Sequence, residues 1–134
     1  MSWTPQTLSD ALQNVVSLNI ESLNNKNSLI IKMNDYGDLQ LSLLFTCRQL
    51  IIETLICPVN CIHNQTEFNV FLLRNQKILP LSSVGISVVK EEEYYVVFGA
   101  LSLNSSLEDV ALEITTLVEN ALDLAEIIDE YVQE

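Results

Sequence analysis

The chain has 134 residues, 49% of them apolar, and a formal net charge of −12. That is a single domain, 1–134, with enough apolar material for a real core and a composition far from disorder. Its six Lys and Arg residues, scattered singly at Lys26, Lys32, Arg48, Arg74, Lys77 and Lys90, offer no basic surface for phosphates. Nucleic acid is therefore not an expected partner, and an anionic membrane surface would repel the chain.

The first residues, Met1 to Gln6, have neither the basic flank nor the apolar run of a signal peptide. No apolar stretch approaches the ~20 residues that span a bilayer, so no direct membrane insertion is expected. Three cysteines, an odd number, suit a reducing compartment, and the expected location is cytoplasmic.

Thr4-Pro5 opens a first helix, with Thr4 at the cap and Pro5 at the first helical position. Trp3 before the cap is placed to pack on Leu8 as a hydrophobic staple. Leu8, Ala11, Leu12, Val15 and Val16 make its apolar stripe. Asn24 to Asn27 form a turn cluster. Three strands follow: Ser28 to Met33, Leu39 to Phe45, and Gln49 to Ile56. Asn34-Asp35-Tyr36-Gly37-Asp38 makes the first hairpin loop, and the three strands read as an antiparallel meander.

Cys57 to Asn64 is a loop, and Thr66 is placed to cap a middle helix from Glu67 to Gln76 that is apolar enough to be largely buried. After Pro80, the strands Val84 to Lys90 and Tyr94 to Leu103 pair across Glu91-Glu92-Glu93. Gly99 inside the second of these marks a bulge or a close backbone approach.

Ser105 to Val132 reads as one long amphipathic helix, roughly 40 Å in extent. Ser105 and Glu108 match a capping box. Its polar side carries Glu108, Asp109, Glu113, Glu119, Asp123, Glu126, Asp129, Glu130 and Glu134, with no Lys or Arg from Asn104 onward. Leu112 and Ile127 fall on that acidic side, away from the apolar stripe.

The expected fold is α+β, in the order α-β-β-β-α-β-β-α. It has a five-stranded antiparallel sheet, helices packed on one face and a long acidic C-terminal helix. Leu44, Ile51, Leu55, Val89, Tyr95, Val97 and Leu101 are expected on the second face, which is too apolar to stay open to water. A homodimer or a partner segment laid on the sheet would cover it.

Two chemistries compete. Cys57, Cys61 and His63 lie within seven residues, and with Cys47 they could hold zinc or a small ligand, although the spacing matches no strong zinc pattern. His63 is the only histidine, no Gly-rich phosphate loop is present, and the carboxylates cluster on an exposed helix face. The stronger expectation is a non-catalytic module without cofactor that binds a protein partner with a basic surface. Its contact residues would be Leu112, Glu119, Asp123, Glu126, Ile127 and Glu130, with Tyr95 and Val97 on the sheet.

The element order, the acidity, the size and the acidic last helix resemble type III secretion chaperones, small cytoplasmic dimers that bind an extended segment of a client. Trp3 to Leu12, Asn34 to Leu39, Val84-Gly85-Ile86, Tyr94 to Ser102 and Leu107 to Tyr131 resemble the YjfI-like family of bacterial proteins over nearly the full length. That resemblance implies a fold, a compartment and a link with membrane-stress proteins similar to phage-shock protein A. It implies no catalytic residue.

Overall fold

A computed structural model describes residues 2–132. Glu134, one of the acidic residues assigned above to the last helix, lies outside them. The elements are α1 (Pro5–Gln13), β1 (Ile20–Asn24), β2 (Ser28–Met33), β3 (Leu39–Phe45), β4 (Gln49–Pro58), α2 (Gln65–Asn75), β5 (Ser83–Val89), β6 (Glu92–Ser102) and α3 (Leu107–Ile128). All six strands form one antiparallel sheet in the order β1-β2-β3-β4-β6-β5. The α+β class stands, but the sheet has six strands and not five. The addition is β1, paired on β2 from Ile20↔Met33 to Asn24↔Leu29. Its alternation is poor, because Leu23 faces out while Ser22 faces the helices and meets Ser9 and Gln13 of α1.

Local chemistry explains the helix ends. Thr4 accepts from the Thr7 backbone N–H, and the Thr7 hydroxyl oxygen accepts from Thr4 N–H, closing a reciprocal cap with Pro5 just inside. At the last helix the cap is Ser106 and not Ser105. Ser106 Oγ accepts from Asp109 N–H at 3.1 Å. The Ser105 carbonyl instead accepts from Trp3 Nε1 at 2.7 Å, and Trp3 N–H donates to Leu103 O. Trp3 thus packs at the edge of the core and ties the N-terminal segment to the entry of α3. At α2, Asn64 replaces Thr66 as the cap, accepting from Glu67 N–H. Only Phe68 and Leu72 of α2 are fully buried, and Leu73 is 73% exposed, so the helix is not the largely buried element its composition predicts.

The helices share one face of the sheet. Leu29, Ile31, Leu41, Leu43, Leu50, Ile52 and Val97 point into it and meet Leu8 and Leu12 of α1 and Val110, Ile114, Leu117 and Val118 of α3 in one cluster. Burying each such side chain contributes about 1.5–3 kcal/mol, which makes this layer the main source of stability. Gly99 faces the same layer and is a close approach, not a bulge. A Cβ there would stand 3.1 Å from both Glu113 Cδ and Leu81 O. The irregularity in the ladder falls in β4, between Leu55 and Cys57.

The β5–β6 turn is tighter than three acids suggest. It consists of Lys90 and Glu91 alone, both at positive φ (51° and 68°), while Glu92 and Glu93 pair with Val89 and Val88. The second sheet face is apolar as expected, but with a different membership in β6. Tyr95, Val97 and Leu101 belong to the helix-covered side, and Val96 and Phe98 take their place beside Ile30, Leu44, Ile51 and Leu55. Val96 is only 2% exposed. The Phe98 ring lies across Gly85, where a Cβ would meet Phe98 Cε1 at 3.2 Å, so this face partly covers itself.

Candidate functional site

The acidic surface of α3 forms as the periodicity demands. Glu119, Asp123, Glu126 and Glu130 are exposed, and so are Leu112 and Ile127. Leu122, on the same outward side, adds a third apolar residue that the wheel missed. No Lys or Arg occurs in the helix. The result is a one-signed surface with apolar points set into it.

Glu113 departs from this surface. It is 4% exposed, its carboxylate lies against the Gly99 backbone, and its Oε2 has no hydrogen-bond partner. Burial raises its pKa above the usual carboxylate value. Two turns on, Asn120 is also buried, and its amide donates to Pro80 O and Ser82 Oγ, each at 2.9 Å. These two residues form a polar seam under the Pro80–Ser82 segment, where Leu81 sits at φ 64°. Sequence periodicity placed Glu113 on the acidic side. Only the missing Cβ at Gly99 hinted that something packs there.

Tyr95 and Val97 take no part in an exposed contact. Both are buried under the helices. The Tyr95 hydroxyl donates to Asn69 Oδ1 of α2, and its ring meets Phe68 edge-on at 5.0 Å. Phe68 in turn packs against Tyr131 at 4.9 Å. Burial, with the nearby Cys57 and Glu93, pushes the Tyr95 pKa up, as expected for a hydroxyl serving as a structural donor.

The cysteine loop does not assemble a ligand set. Cys47 and Cys57 lie at opposite ends of β4, separated by about 30 Å of extended chain, so Cys47 cannot complete a tetrahedral site. Burial raises the Cys57 thiol, with Cys61 adding to the shift, which favours the protonated form over a thiolate ligand. Among the described residues, no group of three or more His, Cys, Asp and Glu is placed to hold a metal ion. The loop instead receives the end of the chain: His63 N–H donates to Tyr131 O, and Ile62 bridges to Val132.

A second surface, which the sequence reading missed, lies around α2 and β5. Val70, Leu73, Ile78, Leu81, Ile86 and Val88 are all exposed there. Leu73, Gln76, Ile86 and Tyr95 line a hollow of about 270 Å³ between the helix and the edge strand. A neighbouring groove between α2 and α3 brings Ile78 and Leu79 to Leu124 and Ile127. Ile127 thus joins the acidic face to this apolar region. Among the described residues, no helix is long and apolar enough to cross a membrane.

The comparisons with known proteins agree with this architecture. The protein YjfI of Escherichia coli strain K12, described as uncharacterized, is 69% identical over 131 residues, covering 98% of each chain, and that of strain O157:H7 matches equally. A chain in the crystal structure of the ExsC-ExsE complex is similar in fold, with a TM-score of 0.56 and 12% identity over 96% of this chain and 97% of that one. A family described as an uncharacterized protein conserved in bacteria, DUF2170, matches residues 2–132, and the chain belongs to that family.

Proposed function

We propose that this chain is a non-catalytic protein-binding module, an adaptor or chaperone-like protein of the cytoplasm that works as a dimer and captures a partner with a basic surface. The observation that carries the reading is the outward side of α3. Glu119, Asp123, Glu126 and Glu130 stand exposed with Leu112, Leu122 and Ile127 among them, and the helix contains no cation. A merely solvating face would gain nothing from the apolar side chains. A docking face uses both, with charge steering the encounter and apolar burial slowing release. The likeness in fold to a chain solved in complex with a second protein supports this reading, as does the resemblance to secretion chaperones. The link of YjfI-like proteins with membrane stress makes a protein of that response the first partner to look for.

The test is capture from the native host at low and high salt. Wild-type protein is expected to retain one dominant partner at low salt and lose it at high salt, because exposed charges are screened beyond about 10 Å at 0.1 M. Replacing Glu119, Asp123, Glu126 and Glu130 by Lys is expected to abolish capture while leaving the far-ultraviolet circular dichroism unchanged. Undiminished capture by the folded variant excludes this face.

A further inference from the structure

β3 and β4 part halfway along the sheet. Their ladder runs from Phe45↔Leu50 to Ser42↔Glu53 and ends there, although residues 39–41 still belong to β3 and residues 54–58 to β4. The turn sets the phase of this ladder. Thr46 N–H donates to Gln49 O, so by alternation Leu44 with Ile51 and Ser42 with Glu53 are hydrogen-bonded pairs. Gln40 with Leu55 would be the next pair of that kind, and the ladder does not contain it. The Thr54 hydroxyl instead donates to Gln40 O at 2.8 Å, and Leu55 pairs with Val96 of β6.

A hollow of about 410 Å³ opens at the parting, lined by Leu39, Gln40, Ser42, Glu53, Leu55 and Val89. Gln40, Ser42 and Glu53 share the face turned away from the helices, because their chain neighbours Leu41, Leu43 and Ile52 are buried beneath them. Among the described residues, no hydrogen bond or ion pair reaches the Gln40 amide, the Ser42 hydroxyl or the Glu53 carboxylate. Lys32, which the register sets opposite Gln40, is held by Glu21 at 2.8 Å. Lys90 follows Val89 in the chain but makes no ion pair with Glu53. Burial raises the Glu53 pKa, and no cation offsets it. A half-buried carboxylate thus stands among apolar side chains without a counter-charge of its own, an arrangement that costs free energy until a cation reaches it.

We propose that this hollow binds a primary aliphatic amine, with its ammonium group donating to Glu53, Ser42 and Gln40 and its hydrocarbon body lying against Leu39, Leu55 and Val89. An ammonium group has three donors and no acceptor. The three polar side chains offer it a carboxylate, a hydroxyl and an amide oxygen, and Ser42 and Glu53 stand directly opposite each other across the ladder. The bond to the carboxylate is charge-assisted and the strongest of the three. A metal ion finds less here, because no group of three or more His, Cys, Asp and Glu gathers among the described residues. The volume lies within the range of small-molecule sites, about 300–1,000 Å³, whereas a single lysine side chain hung from a partner's backbone would fill only a fraction of it. The hollow lies across the sheet from α3, so it is independent of the acidic face on which the proposed function rests.

The experiment is titration of the full chain with n-pentylamine, followed by backbone amide chemical shifts, with methylamine, n-pentanol and Nα-acetyl-lysine amide as comparison probes. Pentylamine is expected to saturate, with the largest shifts at residues 39–42, 53–55 and Val89. Glu53→Gln is expected to bind it at least about tenfold more weakly, as a lost charge-assisted hydrogen bond implies. Leu55→Ser, at an exposed position the fold does not need, is expected to bind it about three- to tenfold more weakly. Methylamine, which lacks the hydrocarbon body, and pentanol, which lacks the charge, are each expected to bind at least about tenfold more weakly than pentylamine. Shifts spread along the acidic side of α3, with equal affinity in folded Glu53→Gln, would mean that amines gather as counter-ions of a chain of charge −12, and would overturn the site. Tighter binding of the lysine amide than of pentylamine would overturn the free amine as occupant and assign the hollow to a lysine of a partner chain.

Discussion

Replacing Glu113 by Gln is expected to stabilise the protein, and the gain is expected to depend on pH. In the folded chain the carboxylate is buried against Gly99, with Oε2 unpartnered. Leaving a buried polar group unsatisfied costs about 1–3 kcal/mol, more when it is charged. Gln keeps the shape and removes the charge, so a gain of about 1–2 kcal/mol is expected at pH 8. For a chain of this size that raises Tm by about 3–7 °C. The sign follows from linkage. Burial raises the folded-state pKa above that of the unfolded chain, so the unfolded state ionises first as pH rises. The wild-type penalty is therefore full above the folded pKa and fades as pH falls through it toward the ordinary carboxylate value of 4.5. The assay is thermal unfolding by circular dichroism of both proteins from pH 8 down to pH 5, above the pI of about 4.2. The difference in Tm should be smaller at the acid end of that range than at pH 8. Burial also raises Glu53, so the wild-type curve alone does not report Glu113, but the difference between the two proteins does. A variant no more stable than wild type at pH 8, or a gain independent of pH, would refute the assignment of Glu113 as a buried and uncompensated charge.

Two further substitutions probe the same framework. Changing Lys90-Glu91 to Asn-Gly is expected to stabilise by about 1 kcal/mol, because both positions hold positive φ at a cost that Asn and Gly largely avoid; an unchanged denaturant midpoint would contradict the two-residue turn. Asn120→Ala removes both hydrogen bonds to the Pro80–Ser82 segment and leaves the Pro80 carbonyl and Ser82 hydroxyl to find other partners. A loss of about 2–3 kcal/mol in urea unfolding is expected, and a loss below about 0.5 kcal/mol would mean that the seam is not holding that segment.

What the sequence by itself determined was what is local. The caps at Thr4 and the periodicity of α1 and α3 follow from residues within a few positions of each other, and so do the strands β2 to β6 to within a few residues. Their hydrogen bonds close inside the helix or across a short turn. The acidic face with Leu112 and Ile127 was legible for the same reason. The tertiary structure decided what depends on phase and neighbours. Tyr94 to Phe98 is one unbroken apolar run, and such a run has no phase of its own. Pairing with β4 and β5 turned Tyr95 and Val97 inward and Val96 and Phe98 outward, and a slip of one residue would have reversed them. β1 escaped notice because its helix-facing residue Ser22 is satisfied by α1, a contact no local pattern encodes. Glu113 reads as surface on a helical wheel, and only the packing of α3 on Gly99 buries it. Cys47 and Cys57 look like partners along the chain, but the length of β4 holds them apart. β5 ends the sheet because β6 inserts between it and β4, a strand order set by burial of the whole layer and not by any single segment.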